Sequence, residues 1–158
     1  MAFTLESPSL EATFEIGETI ARTLKDGSVI ALQGQLGGGK THLAKGLARG
    51  LGVDRWQRVT SPTFTLLATY RGERTLHHMD LYRLADGSDV PQELIEAIED
   101  RNALSAVEWG DLMPDLLPAG VVEVDCEVID EDSRRFTIEC DDAATLQALS
   151  AALGQWRA

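Results

Sequence analysis

Apolar residues recur along this chain with two periods, about 3.6 and 2, and the changes between them mark out helices and strands. A strand is predicted near residues 2–6. Ser7-Pro8-Ser9 then reads as a helix start with Pro8 in the first turn, and Ile16, Ile20, Ala21 and Leu24 give that helix one apolar stripe as far as Asp26-Gly27. Residues 28–33 form a short apolar run, as a strand covered on both faces would. A glycine-rich loop follows, then a helix from about Lys40 to Leu51 with Leu43 and Leu47 on one face.

Thr63 to Tyr70 and Thr75 to Tyr82 read as two strands joined by Arg71-Gly72-Glu73-Arg74, a connection short enough to make them antiparallel. A short helix is predicted from Pro91 to Asp100, burying Leu94, Ile95 and Ile98. An apolar strand at 103–107 ends at Glu108-Trp109. Beyond Pro118 the period is two: Val122, Val124, Cys126 and Val128 share a face, and Phe136, Ile138 and Cys140 repeat the pattern on a return strand. A last helix starts at Asp141 or Asp142 and carries Leu146, Leu149 and Leu153. The predicted fold is α/β, a mixed sheet that is parallel in the middle and antiparallel toward its edges, with helices on its faces.

The 158 residues suit one domain spanning 1–158, and 44% hydrophobic with 25% charged residues is an ordinary globular balance. No apolar run reaches the roughly 20 residues that cross a bilayer. The start, Met1 to Glu6, has neither the basic nor the apolar part of a signal peptide, so a cytoplasmic location is expected, without membrane association. Fourteen basic residues against 26 acidic ones give a net charge of −12, which argues against broad binding to nucleic acid and suits a basic protein partner. Cys126 and Cys140 fall on one hairpin, with Cys126 opposite roughly position 137. The two thiols are therefore not expected to meet, and both read as small core residues.

Gly34-Gln35-Leu36-Gly37-Gly38-Gly39-Lys40-Thr41 fits G-x-x-x-x-G-K-[ST], placed between a strand and a helix as a phosphate-binding P-loop requires. Its glycines let backbone N–H groups turn inward, and the helix starting at Lys40 adds its positive end. Lys40 is expected to reach the β- and γ-phosphates and the Thr41 hydroxyl to ligate Mg²⁺. Such a loop also needs a carboxylate at the end of a neighbouring strand. Asp80 follows Leu76-His77-His78-Met79, a run too polar for a fully buried central strand, whereas Glu108 follows a largely apolar one; both stay candidates. Ser61-Pro62-Thr63 is either a loop entering a strand or a switch-like turn that senses the γ-phosphate. Trp109 is either core or a stacking neighbour of the nucleotide. His77 and His78 face opposite sides of a strand, and His42 follows the loop at the helix start.

Together, Gly34 to Thr41, Ser61-Pro62-Thr63-Phe64-Thr65-Leu66, Asp80-Leu81-Tyr82-Arg83-Leu84 and Val107-Glu108-Trp109 resemble the TsaE family over about residues 5 to 140. The S-P-T-F and D-L-Y-R-L blocks carry this resemblance more specifically than the P-loop does. It implies a P-loop NTPase fold and ATP hydrolysis with Mg²⁺ in the threonylcarbamoyladenosine modification of tRNA position 37. It also implies binding to the two proteins that transfer threonylcarbamoyl, with tRNA reached only through them. By matching position, Gly37, Gly38, Gly39, Lys40, Thr41 and His42 would contact phosphate, and Thr41 and Glu108 would bind Mg²⁺. Asp80 would support the metal or the attacking water, Thr63 would belong to the switch turn, and Trp109 would lie close to the nucleotide. The resemblance also brings Arg134 or Arg135 toward it. Lys40, Asp80 and Glu108 are thus the expected catalytic set. Gln35 and Gly38 depart from the family's usual Asp and Ala. The alternatives to a partner-stimulated ATPase are a small-metabolite kinase, for which no second substrate pocket or Arg-bearing lid stands out, and a nucleotide-gated binding module with negligible turnover.

Overall fold

The structure, a computed structural model, describes residues 1–35, 37 and 39–158, apart from the side chain of Ala85. Its elements are β1 (Ala2–Ser7), α1 (Leu10–Thr23), β2 (Val29–Gly34), α2 (Lys40–Gly50), β3 (Leu67–Arg71), β4 (Thr75–Asp80), α3 (Gln92–Ile98), β5 (Ala103–Glu108), β6 (Val122–Val128), β7 (Arg134–Glu139) and α4 (Ala143–Ala152). The strands form one sheet in the order β1-β7-β6-β2-β5-β4-β3. β6, β2, β5 and β4 run parallel, while β3 and β7 pair antiparallel with their neighbours, as the lengths of the connections predict.

Alternation along the strands sorts the core into two layers. Ile30, Leu32, Leu76, Leu104, Val124 and Phe136 face α1, α2 and α4. Val29, Met79 and Val107 face α3 on the other side. Because side chains on a strand alternate, Leu76, His78 and Asp80 of β4 all look toward α2, and Asp80 lies in register with Glu108 of β5. Both acids therefore end neighbouring parallel strands on the face that carries the P-loop helix.

Five local readings change. Pro8 lies before the helix, since Ser9 is the N-cap, its hydroxyl accepting from the Ala12 amide at 3.1 Å. α1 stops at Thr23, where the Arg74 guanidinium from the β3–β4 hairpin takes the carbonyls of Ala21 and Leu24, both at 2.7 Å. Residues 63–66 form a turn instead of the start of β3, with Leu66 left-handed at φ 68°. Ile95 is half-buried, and Ala97 joins Leu94 and Ile98 in the core instead. Cys126 sits opposite Phe136, one residue from the expected register, and both cysteines are free thiols. Burial pushes the Cys126 thiol well above its ordinary range, so it stays protonated and inert.

The polarity of β4 is also misleading. The strand is internal to the sheet, and His78 and Asp80 are buried with His77 half-buried, each paired with a polar partner instead of being turned to water. His78 bonds Glu108, and His77 on the other face bonds Asp100 and Thr69.

Candidate nucleotide site

The loop after β2 turns sharply because three of its described glycines, Gly34, Gly37 and Gly39, adopt left-handed backbone angles that favour glycine. Gly34 has φ 118°, and a Cβ there would lie 2.2 Å from the Cys126 carbonyl oxygen of β6. Gly39, at φ 101°, is the N-cap of α2 and offers no side chain to cap it. The first-turn N–H groups of α2 thus lack a side-chain acceptor, and no acidic residue sits in that turn. The end of the helix presents positive partial charge to whatever lies in front of it.

Lys40 is buried and folds back on the loop, donating to the carbonyls of Gly34 at 2.9 Å and Gln35 at 2.6 Å. Its ammonium lies 4.5 Å from the ring centre of Trp109. Trp109 takes a left-handed backbone, φ 62°, at the abrupt exit from β5, and its ring tilts against Tyr82 at 5.2 Å. Gln35 itself is exposed. It is the backbone carbonyl of this residue that engages the lysine.

Opposite the loop, Asp80 is 4% exposed and Glu108 is 3% exposed. Asp80 Oδ2 accepts from Ser61 Oγ at 2.6 Å and from Thr63 Oγ1 at 3.3 Å, while Oδ1 accepts the Tyr82 amide at 2.9 Å. Lys45 of α2 fixes the preceding segment by donating to the carbonyls of Gln57 and Val59. The Ser-Pro-Thr turn is thus held at both sides of the cleft, by the P-loop helix and by β4. His42 packs edge-on to Phe14, and burial, then the charges of Lys45 and Arg134, lower its pKa below the usual histidine range.

Gly37, Gly39, Lys40, Thr41, His42, Thr63, Asp80, Glu108 and Trp109, all singled out in the sequence, line one cleft of about 530 Å³. Gly38 lies outside the described residues. Ser61 and Tyr82 complete the lining, although neither was assigned a role of its own. Of the two arginines, Arg134 borders the site: with Gly39 and His42 it lines a small adjoining cavity of about 160 Å³. Arg135 turns to the opposite side of its strand and pairs with Glu6 and Glu127. A larger cavity, about 1070 Å³, opens by the start of β2 near Ser28, Ile95 and Leu117, and it gathers none of these groups. Size and chemistry disagree, and the chemistry locates the site.

A strand-turn-helix with a helix start that no side chain caps, a buried lysine, a threonine at that start and two buried acids is the apparatus of a P-loop NTPase. The model of the family described as threonylcarbamoyl adenosine biosynthesis protein TsaE matches residues 7–136. The chain belongs to the TsaE family. A TsaE relative from Treponema pallidum, described as a tRNA threonylcarbamoyladenosine biosynthesis protein, is 40% identical over 132 residues, covering 84% of this chain and 96% of its own. A Bacillus subtilis relative of the same description is 36% identical over 129 residues, covering 80% and 78%. The crystal structure of Bacillus subtilis YdiB superposes with a TM-score of 0.75 at 26% identity, covering 98% of this chain and 95% of that one. The TsaE assignment agrees with the resemblance carried by the S-P-T-F, D-L-Y-R-L and E-W blocks. No helix among the described residues is long and apolar enough to cross a membrane.

The sequence reading missed His78. It is fully buried, and its Nε2 lies 2.5 Å from Glu108 Oε2. The signal was available, because a residue two before Asp80 on a strand shares its face.

Proposed function

We propose that this TsaE-family protein, acting as one P-loop domain, binds ATP with Mg²⁺ and hydrolyses it in support of the threonylcarbamoyladenosine modification of tRNA. The single observation that carries this reading is the convergence of Lys40, Thr41, Asp80 and Glu108 on one cleft, at the ends of three adjoining elements. Phosphoryl transfer needs positioning and charge stabilisation more than covalent chemistry, and these groups supply both. The loop amides and Lys40 bind the phosphates, with His42 beside them. A hydroxyl and two carboxylates are hard oxygen donors of the kind Mg²⁺ takes. Thr41 and Glu108 would hold the ion, and Asp80 would orient the water or the metal's own hydration. When bound, the ion supplies neutralisation of charge on the β- and γ-phosphates. Trp109 and Tyr82 form the apolar wall.

The strongly acidic surface supports an assignment to a helper ATPase that acts on the threonylcarbamoyl-transfer proteins, which would themselves hold the tRNA. Phosphate release is the test, measured with the chain alone and with those two proteins added. Stimulated hydrolysis is the expected result. Label passing from ATP to a small molecule would replace this reading with a kinase, and tight binding without turnover in either mixture would leave a nucleotide-gated module.

A further inference from the structure

We propose that His78 is a positioning residue for the site: it fixes the Glu108 carboxylate so that one oxygen is left to the cleft. This rests on the reading of Glu108 as a metal ligand. His78 is fully buried and is not among the residues lining the cleft, so it acts through Glu108. Its Nε2 and Glu108 Oε2 are 2.5 Å apart, a distance that requires a proton between them. Nδ1 has no partner among the described residues. Both facts select the same tautomer. With the proton on Nε2, the ring donates to the carboxylate, and only a bare lone pair faces the core. With the proton on Nδ1, a buried N–H would lack an acceptor and two lone pairs would meet at 2.5 Å.

The sheet makes this arrangement rigid. His78 lies opposite Ala106 on β5, two residues before Glu108, just as it lies two residues before Asp80 on its own strand. A single strand, β4, therefore sets both the Asp80 carboxylate and the orientation of Glu108. Oε2 is committed to His78, which leaves Oε1 to a ligand. Mg²⁺ demands near-ideal geometry, so a carboxylate free to rotate would hold it less well.

The test is a titration with Mn²⁺, followed by its paramagnetic resonance, in the presence of a non-hydrolysable ATP analogue. The amide nitrogen of a glutamine reaches about as far as Nε2, whereas that of an asparagine falls short. His78→Asn is expected to weaken Mn²⁺ binding about 10- to 100-fold, and His78→Gln to recover most of it. Analogue affinity measured in chelator should be unchanged in both. If the Asn protein does not fold, His78→Met, of similar bulk and without a donor, takes its place in the same comparison. Equal Mn²⁺ affinity in the Asn or Met protein and the wild type, equal losses in the short and long amides, or a parallel loss of metal-free nucleotide binding would each overturn the proposal. Glu108→Gln separates the two levels. If it leaves Mn²⁺ affinity intact, the metal-site reading fails together with this one. If it weakens binding while the His78 substitutions do not, only the positioning role fails.

Discussion

Ser61 Oγ lies 2.6 Å from Asp80 Oδ2 and ties the Ser-Pro-Thr turn to the end of β4. The acceptor is a carboxylate and the bond is partly buried, so it is worth more than a surface contact. Ser61→Ala leaves Oδ2 with Thr63 alone, at 3.3 Å. The expected cost is about 1–2 kcal/mol, or roughly 2–8 °C in Tm for a chain of this size. Thermal unfolding of the nucleotide-free protein measures it. An unshifted melting curve would mean that Thr63 closes on Asp80 without loss, and that the turn is not held by this serine.

Trp109 is expected to report occupancy of the site. In this structure its ring contacts the Lys40 ammonium at 4.5 Å, and Lys40 would swing from the carbonyls of Gly34 and Gln35 to meet a phosphate. Adding ATP should therefore change the indole emission. The other two tryptophans lie elsewhere, Trp56 against Phe14 and Arg49 and Trp156 in the last turn of the chain. In Trp109→Phe the nucleotide-dependent change should vanish. Persistence of the full signal would place the responding tryptophan away from the cleft.

What could be read in the sequence divides by the range of the interactions involved. The P-loop was legible because its chemistry lies within eight consecutive residues, and β5 because a largely apolar five-residue run is followed by an acid. The end of α1 was not, because it is set by Arg74, some fifty residues away. The strand-like pattern of residues 63–66 lost to two hydroxyls bonding a carboxylate on another strand and to a left-handed Leu66. β4 misled for a related reason. Polar residues argue for exposure only until their partners are known, and the partners of His78 and His77 come from β5 and from the end of α3. The choice between Asp80 and Glu108 also rested on that polarity, and the register brings the two side by side.

Gly46→Ala is predicted to destabilise, although alanine is the better helix former by about 1 kcal/mol. α1 and α2 touch backbone to backbone: a Cβ on Gly46 would lie 2.5 Å from the Phe14 carbonyl oxygen and 3.0 Å from the Gly17 Cα. Neither atom can move without shifting a helix, so overpacking of about 1–3 kcal/mol outweighs the propensity gain. α2 also carries Lys40 and Thr41 at its start, so nucleotide affinity should fall along with Tm. Denaturant unfolding and a binding titration on the same protein check both. A Tm equal to or above that of the wild type would show that the helices part freely.

His42 gives the site a pH dependence whose sign follows from its surroundings. Burial, with Lys45 and Arg134 nearby, holds its folded-state pKa below the ordinary 6.5. Between that lowered value and 6.5 the unfolded chain binds more protons than the folded one. Stability contributed by this residue is therefore intact above pH 6.5 and is lost as the pH falls through that window. A bound polyphosphate reverses the local field, because its negative charge favours the protonated ring. Nucleotide affinity should accordingly rise as the pH falls below 6.5, while the stability of the free protein declines. Other ionisable groups act in both proteins alike, so the contribution of His42 is the difference between the wild type and His42→Asn, measured by thermal melts and by nucleotide titration from pH 8 to about 5.5. The substitution should flatten both trends relative to the wild type. Parallel profiles in the two proteins would show that the ring neither pays for its burial nor meets the phosphates.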